Sequence, residues 1–407
     1  MTTSTFSGTA PAAAAPAAVV ERPVETKRSL RSVRRSDVLA LVGAAVGAVS
    51  CTSLLFFRLA PFSGKLGFVV VAYLLFLGFY ALLVSRDEAG PVVRDRLAAA
   101  VSHSLAFVLL LAMVVVIGYT LWRGKDAWSH ANFFTEDMRR TGPLDPLDVG
   151  GIAHAAVGTL EQIALALVVT VPLGLTCAVF LLEARGRLAR LVRMLTEAMT
   201  ALPSIVAGLF VYAMLIVSHV VERSGLAASI AISVMMLPIV IRAADVVLRL
   251  VPGNLKEASL ALGASRWRTV WHVVLPTARS GLTTAVILGT ARGIGETSPV
   301  LLTAGYATAM NANPLQDPMT SLPLATFQLV KSSQPEMIAR GFGAAATLLA
   351  IVLVLFVVAR VIGGKPPGQL SKRAQKRAAR ASERDARRFT IEAVHQLVSE
   401  DTNRRSA

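Results

Sequence analysis

The sequence predicts an all-α integral membrane protein, and three observations lead there. Of its 407 residues 54% are hydrophobic and only 16% charged, a balance displaced from soluble globular chains toward membrane proteins. Uncharged apolar runs of about 18 residues or more, long enough to cross a hydrocarbon core of about 30 Å as a helix, recur along the chain. The basic residues are also sorted. With both termini on the cytoplasmic side, inside segments hold 31 of the 41 lysines and arginines, outside loops hold nine, and Arg292 lies within a span, in keeping with the positive-inside tendency.

Eight spans are expected, near 38–57, 66–84, 101–121, 152–182, 199–221, 225–242, 281–303 and 342–360. The sixth is short and contains Pro238; without it the basic C-terminal tail would lie outside. Residues 1–37 are polar and rich in Ala and Pro, with no apolar core of signal-peptide type, so they read as a disordered basic tail. Residues 38–84 then form a transmembrane hairpin, 100–363 the main transmembrane domain, and 364–407 a second basic tail on the cytoplasmic side. The tails carry more than half of the +16 formal charge. The stretch SKRAQKRAARASERDARR is helix-prone, and its cations suit anionic membrane lipid at about 1 kcal/mol each. With no aromatic residues among them they lack the pattern of a nucleic-acid surface. Cys51 and Cys177 both fall in spans and read as small buried apolar residues.

No Gly-x4-Gly-Lys-Ser/Thr loop is present, so the chain lacks that route to nucleotide binding and any ATP-derived energy comes from a partner. The six histidines show no ligand spacing, which argues against a metalloenzyme. No pairing of nucleophile and base is legible either, so neither a catalytic nor a metal site is expected.

The segment EASLALGASRWRTVWHVVLP, residues 257–276, differs from its apolar neighbours. Asn254 stands three residues before Glu257, the spacing of a capping box, so a helix is expected to start there and run to Leu262. Gly263 allows a turn, and Ser265 can cap a second helix. In that helix Trp267, Val270, Trp271 and Val274 form one apolar stripe, and Pro276 closes it. The product is an amphipathic helix-turn-helix on the inner membrane face. It is either an interfacial linker or a docking element; the small Ala258, Ser259 and Ala261 favour docking.

These residues resemble the EAA signature of ABC importer permeases, with Glu257, Ala258, Ser259, Gly263, Val273, Leu275 and Pro276 at the family spacings. Ser259 replaces the second Ala and Val273 the usual Ile. The resemblance implies a coupling loop that inserts into a separate cytoplasmic ATPase, with Glu257, Ala258, Ser259, Gly263 and Pro276 as its coupling residues. It also implies a six-helix core of the type I ABC importer kind, preceded here by two extra transmembrane helices.

Arg292 and Glu296 lie i, i+4 in the seventh span and can pair. A charge in mid-membrane is expensive, about 2.5–3.5 kcal/mol on insertion scales, so the pair either lines an interior path or locks two helices together. The guanidinium fork of Arg292 fits phosphate oxygens, whereas Glu296 repels a full dianion unless it is paired or accepts a proton carried by the substrate. The stretches ALPSIVAGLFVYAML, ARGIGETSPVLLTAG and SLPLATFQLV, with their surroundings over roughly 100–363, are similar to the PstA-type permeases of phosphate importers.

That resemblance implies a subunit of the plasma membrane that imports inorganic phosphate. Its implied partners are a sister permease of PstC type, two copies of an ATPase carrying ATP and Mg, and an extracytoplasmic phosphate-binding protein. It further implies pathway roles for Arg292 and Glu296. Arg242 and Glu161 are secondary, Arg242 with a headgroup or loop role equally open and Glu161 as a snorkelling or paired carboxylate at the outer mouth. Rival readings are a permease for sulphate, molybdate or phosphonate, an ion-coupled secondary carrier, and a membrane enzyme or scaffold recruiting partners through its tail.

Overall fold

The computed structural model describes residues 35–59, 64–364, 375–384 and 386. The tail expected over 1–37 falls almost wholly outside the described residues, as does most of 364–407, although 375–384 is helical as its composition suggests. All regular elements among the described residues are helices. The chain forms two compact units, Met1–Ala112 and Met113–Ala407.

In the first unit α1 (Arg35–Leu54) runs on through one wide π turn, Leu55–Leu59, and α2 (Lys65–Val84) returns beside it. Ala44, Tyr80 and Val84 are buried together, with Val93, Leu97 and Ala100 from the start of α3 (Gly90–Trp128) packed on them. Tyr73, Phe76 and Tyr80, spaced i, i+3, i+7, stack with ring centroids 6.2 and 6.0 Å apart. Arg96 closes this end by reaching Asp37 at 2.5 Å and Glu88 at 3.1 Å. Cys51 is exposed and Cys177 half-buried, contrary to the expectation of burial. Membership of a span does not bury a side chain, because the outer face of a helix in lipid is apolar as well.

The second unit takes in the end of α3, then α4 (Asn132–Thr135), α5 (Ala153–Glu183), α6 (Arg187–Thr200), α7 (Ser204–Val211), α8 (Gly225–Arg249), α9 (Gly253–Ala261) and α10 (Arg266–Thr269). It continues with α11 (Leu275–Ile294), α12 (Ser298–Thr303), α13 (Leu322–Val330) and α14 (Pro335–Gly363). At its centre α8 packs against α5 on one side and α11 on the other. Without a hydrophobic force between helices in lipid, such contacts depend on close fit. Val240 of α8 provides it: a β-carbon on Gly289 of α11 would lie 2.5 Å from Val240 Cγ2, and one on Gly174 of α5 would lie 2.8 Å from Val240 Cγ1.

Among the described residues seven helices are long and apolar enough to cross a membrane, and a bent pair would make eight. The sixth expected span is longer than its composition suggested, because α8 runs 25 residues with Pro238 buried inside it. The fifth is not one helix. Its residues divide between α6 and α7, which with its π extension to Val217 turns away by 107° at a break ending in Pro203. Pro203 cannot supply the backbone donor a continuing helix needs. The basic stretch between the fourth and fifth expected spans is α6, with Arg187, Arg190 and Arg193 on one side and exposed Leu188, Leu191 and Leu195 on another, the pattern of a helix lying in an interface. The seventh expected span breaks too, between α11 and α12.

Gly289→Val would drive two methyl groups into Val240. We expect it to destabilise the bundle by about 1–3 kcal/mol, read as a lower unfolding temperature of the detergent-solubilised chain, whereas Gly118→Ala, where a β-carbon meets nothing within 4 Å, should leave it unchanged.

Candidate functional site

Arg292 occupies the last turn of α11, and Glu296 lies in the unwound link Gly295–Thr297 that follows. The two therefore do not share a regular helix face, yet Arg292 Nε lies 3.1 Å from Glu296 Oε1. Charge and distance make this an ion pair, although the alignment falls short of a hydrogen bond. The partners differ in setting: the Glu296 side chain is 7% exposed and that of Arg292 55%. The arginine thus keeps part of its donor fork open while its counter-ion is sunk in the protein. A broken helix at membrane depth is a common way to present charge and free backbone groups to a passing ion.

The helix bearing Arg292 begins far away in sequence. α10, a π segment at Val270–Val274 and α11 are continuous, a rod of 29 residues from Arg266 to Ile294, about 43 Å long at 1.5 Å per residue. Pro276, expected to end the second short helix, instead sits in the first turn of α11. The preceding π turn absorbs the mismatch a proline creates in the i→i−4 ladder.

The turn before that rod has the expected form. Gly263 has φ +84°, a left-handed value open to glycine. Around it Gly263 N–H donates to Leu260 O at 2.9 Å and Ala264 N–H to Ser259 O at 3.2 Å, the paired bonds of a Schellman ending. Ser265 caps α10 by accepting from Arg268 N–H at 3.3 Å. Ser259 joins the two short helices through a 2.9 Å contact with the Thr269 hydroxyl.

Two details depart from expectation. The capping box does not form: α9 starts at Gly253 directly after Pro252, with no side-chain cap, so Asn254 and Glu257 are already helical and Glu257 is exposed. The apolar stripe also divides. Val270 and Val274 are buried, whereas Trp267 and Trp271 are 65% and 53% exposed and meet edge to face at 5.7 Å. With Leu262 at 90% exposure, the loop presents more uncovered apolar surface than its periodicity implied. Arg242 is exposed on α8. Glu161 is half-buried on α5, with no ion-pair partner among the described residues and its Oε2 unpartnered.

The family described as binding-protein-dependent transport system inner membrane component matches residues 170–364. Phosphate transport system permease protein PstA 1 of Mycobacterium tuberculosis strain H37Rv is 35% identical over 275 residues, which cover 66% of this chain and 89% of that one. The chain belongs to the PstA family of permeases. PstA of Yersinia pestis is 33% identical over 282 residues, covering 69% and 93%. An inward-facing MetNI methionine ABC transporter superposes with a TM-score of 0.38 and 20% identity over 52% of this chain and 91% of that one.

In this PstA-family chain one further buried charge, for which the sequence gives little signal, anchors the loop ahead of α5. Arg340 of α14 is 0% exposed. Its Nη2 donates to the main-chain oxygens of Asp145, Pro146 and Val149 at 3.2, 2.6 and 2.9 Å. The only sequence signal is an arginine in RGFGAAATLLA, a run otherwise of apolar and small residues. Nearby, Asp137 accepts main-chain N–H groups from Met310 at 2.9 Å and Arg139 at 3.1 Å. The Met310 bond leads in holding its carboxyl below the usual carboxylate range.

A carboxylate lowered on folding adds stability above its unfolded pKa and loses it as the pH falls through the native value. The Met310 amide should therefore be protected from hydrogen exchange at neutral pH and lose protection only as the pH falls through the native value, which lies below the ordinary Asp value of about 3.9. Asp137→Ala should remove that protection at neutral pH; equal protection in both proteins would refute the linkage.

Proposed function

We propose that this chain is a transmembrane subunit of an ATP-driven importer of inorganic phosphate in the plasma membrane, with both termini cytoplasmic. It lines the path together with a sister permease of PstC type. Two copies of a cytoplasmic ATPase, which hold ATP and Mg, supply the energy, and an extracytoplasmic binding protein delivers phosphate. The observation that carries the reading is the Arg292–Glu296 pair at the α11–α12 break, in a chain whose relatives are named as phosphate permeases.

In this reading Arg292 takes phosphate oxygens on its open donor fork, and Glu296 holds the guanidinium in place. The exposed Glu257, Ala258 and Leu262 meet the ATPase, while Ser259 and Gly263 set the angle between the short helices and Pro276 starts the rod behind its wide turn. Force applied at Arg266 reaches Arg292 along one helix, with no loop to absorb it. The cytoplasmic side is supported by cations around the cleft between α5 and α9–α10, where Arg185, Lys256 and Arg266 line one open cavity, in keeping with the positive-inside tendency. Arg242 and Glu161 keep secondary roles, the first near a headgroup or loop and the second at the outer mouth.

Arg292→Gln should lower phosphate uptake by the assembled importer at least tenfold, a loss of about 1.4 kcal/mol, without dissociating the subunits; unchanged uptake would remove the pathway role. Glu257→Ala should weaken co-purification with the ATPase while membrane insertion stays intact. Retained ATPase binding with full transport would count against the coupling role.

A further inference from the structure

Behind the helix break lies a small cavity lined by Thr159 and Gln162 of α5, Glu296 of the link and Ser321 at the start of α13, with apolar walls from Ile163, Ile232 and Val300. Its polar lining is deeply buried: Gln162 is 1%, Ser321 4% and Glu296 6% exposed.

Three atoms in it have no hydrogen-bond partner, Gln162 Oε1, Ser321 Oγ and Glu296 Oε1. The orientation of the Gln162 amide is set from its other end, since Nε2 donates to Met319 O at 2.9 Å, so the unpartnered atom is an acceptor. Ser321 is the N-cap of α13, a position where serine ordinarily accepts from the first turn, yet its side chain makes no cap bond. That task has passed to Thr159, whose hydroxyl accepts Leu322 N–H at 2.7 Å and donates to Ala155 O at 2.8 Å. The serine hydroxyl is thus released as a donor.

One donor and two acceptors, none of them hydrogen-bonded and one, Glu296 Oε1, held by charge alone beside Arg292, surround a space of about 10 Å³ measured to the centre of a water molecule and match one water that accepts once and donates twice. We propose that this cavity is a structural water site joining α5, the α11–α12 break and the start of α13, and that Gln162 and Ser321 position Glu296 through it. The positioning role rests on the pathway reading of Arg292 and Glu296; the water site stands by itself. Through the water, the carboxylate is held by two elements other than its own, so the break keeps one shape while Arg292 is handed substrate.

The test uses the assembled importer. A high-resolution map should show one ordered solvent peak within about 3.2 Å of all three atoms, and its absence would overturn the site. Ser321→Ala and Gln162→Leu should each lower turnover of phosphate uptake about tenfold while changing KM less than twofold, with the melting temperature of the complex retained. Ser321→Thr, which keeps the hydroxyl, should restore turnover. Wild-type turnover in both disrupted variants, or a loss that tracks melting temperature, would overturn the positioning role. Glu296→Gln, measured alongside, separates the two readings: if it transports normally the pathway reading falls and the positioning role with it, while the solvent peak still decides the water site.

Discussion

The continuity of one helix governs the rest of the second unit. From Arg266 to Ile294 the chain forms a single rod, and α8 can lie close along it because Gly281 and Gly289 leave room for Val247 and Val240. In lipid, apolar side chains gain little by leaving the surrounding hydrocarbon, so this fit carries the association. The same valine that meets α11 also occupies the slot at Gly174 of α5. Three helices are thereby registered on one side chain, and the charged pair is fixed relative to the short helices at the rod's other end.

The pair gains its character from where that rod stops. Glu296 N–H donates to Gly293 O at 3.1 Å and Leu301 N–H to Thr297 O at 2.9 Å, so these main-chain donors stay satisfied as the direction changes. This matters at membrane depth, where water cannot complete missing bonds. The break releases a side chain, and Glu296 turns inward as Arg292 stays open.

Much of this was legible in the sequence. Hydropathy located the crossing helices because lipid enforces a minimum apolar length, and Gly263 and Ser265 declared the turn and cap that follow from their own chemistry. What escaped depends on neighbours. Asn254 and Glu257 had capping-box spacing, but α8 ends at Arg249 and Pro252 takes the N-cap position of the next helix two residues early. Pro276 looked terminal because a wide turn ahead of it has no sequence mark. The stripe at Trp267 and Trp271 was recognised, yet periodicity states only that a face is apolar, never which surface covers it. Gln162, Ser321 and Arg340 left almost no signal, since their partners lie on distant segments.

Arg340 has a consequence for how this protein can change over time. Its guanidinium grips main-chain oxygens at Asp145, Pro146 and Val149, and among the described residues no carboxylate lies within salt-bridge distance of it. Carbonyl groups are common to all residues, so the loop can exchange its outward side chains without losing its anchor. A surface mounted in this way is free to diversify toward a new docking protein while the frame beneath it stays the same.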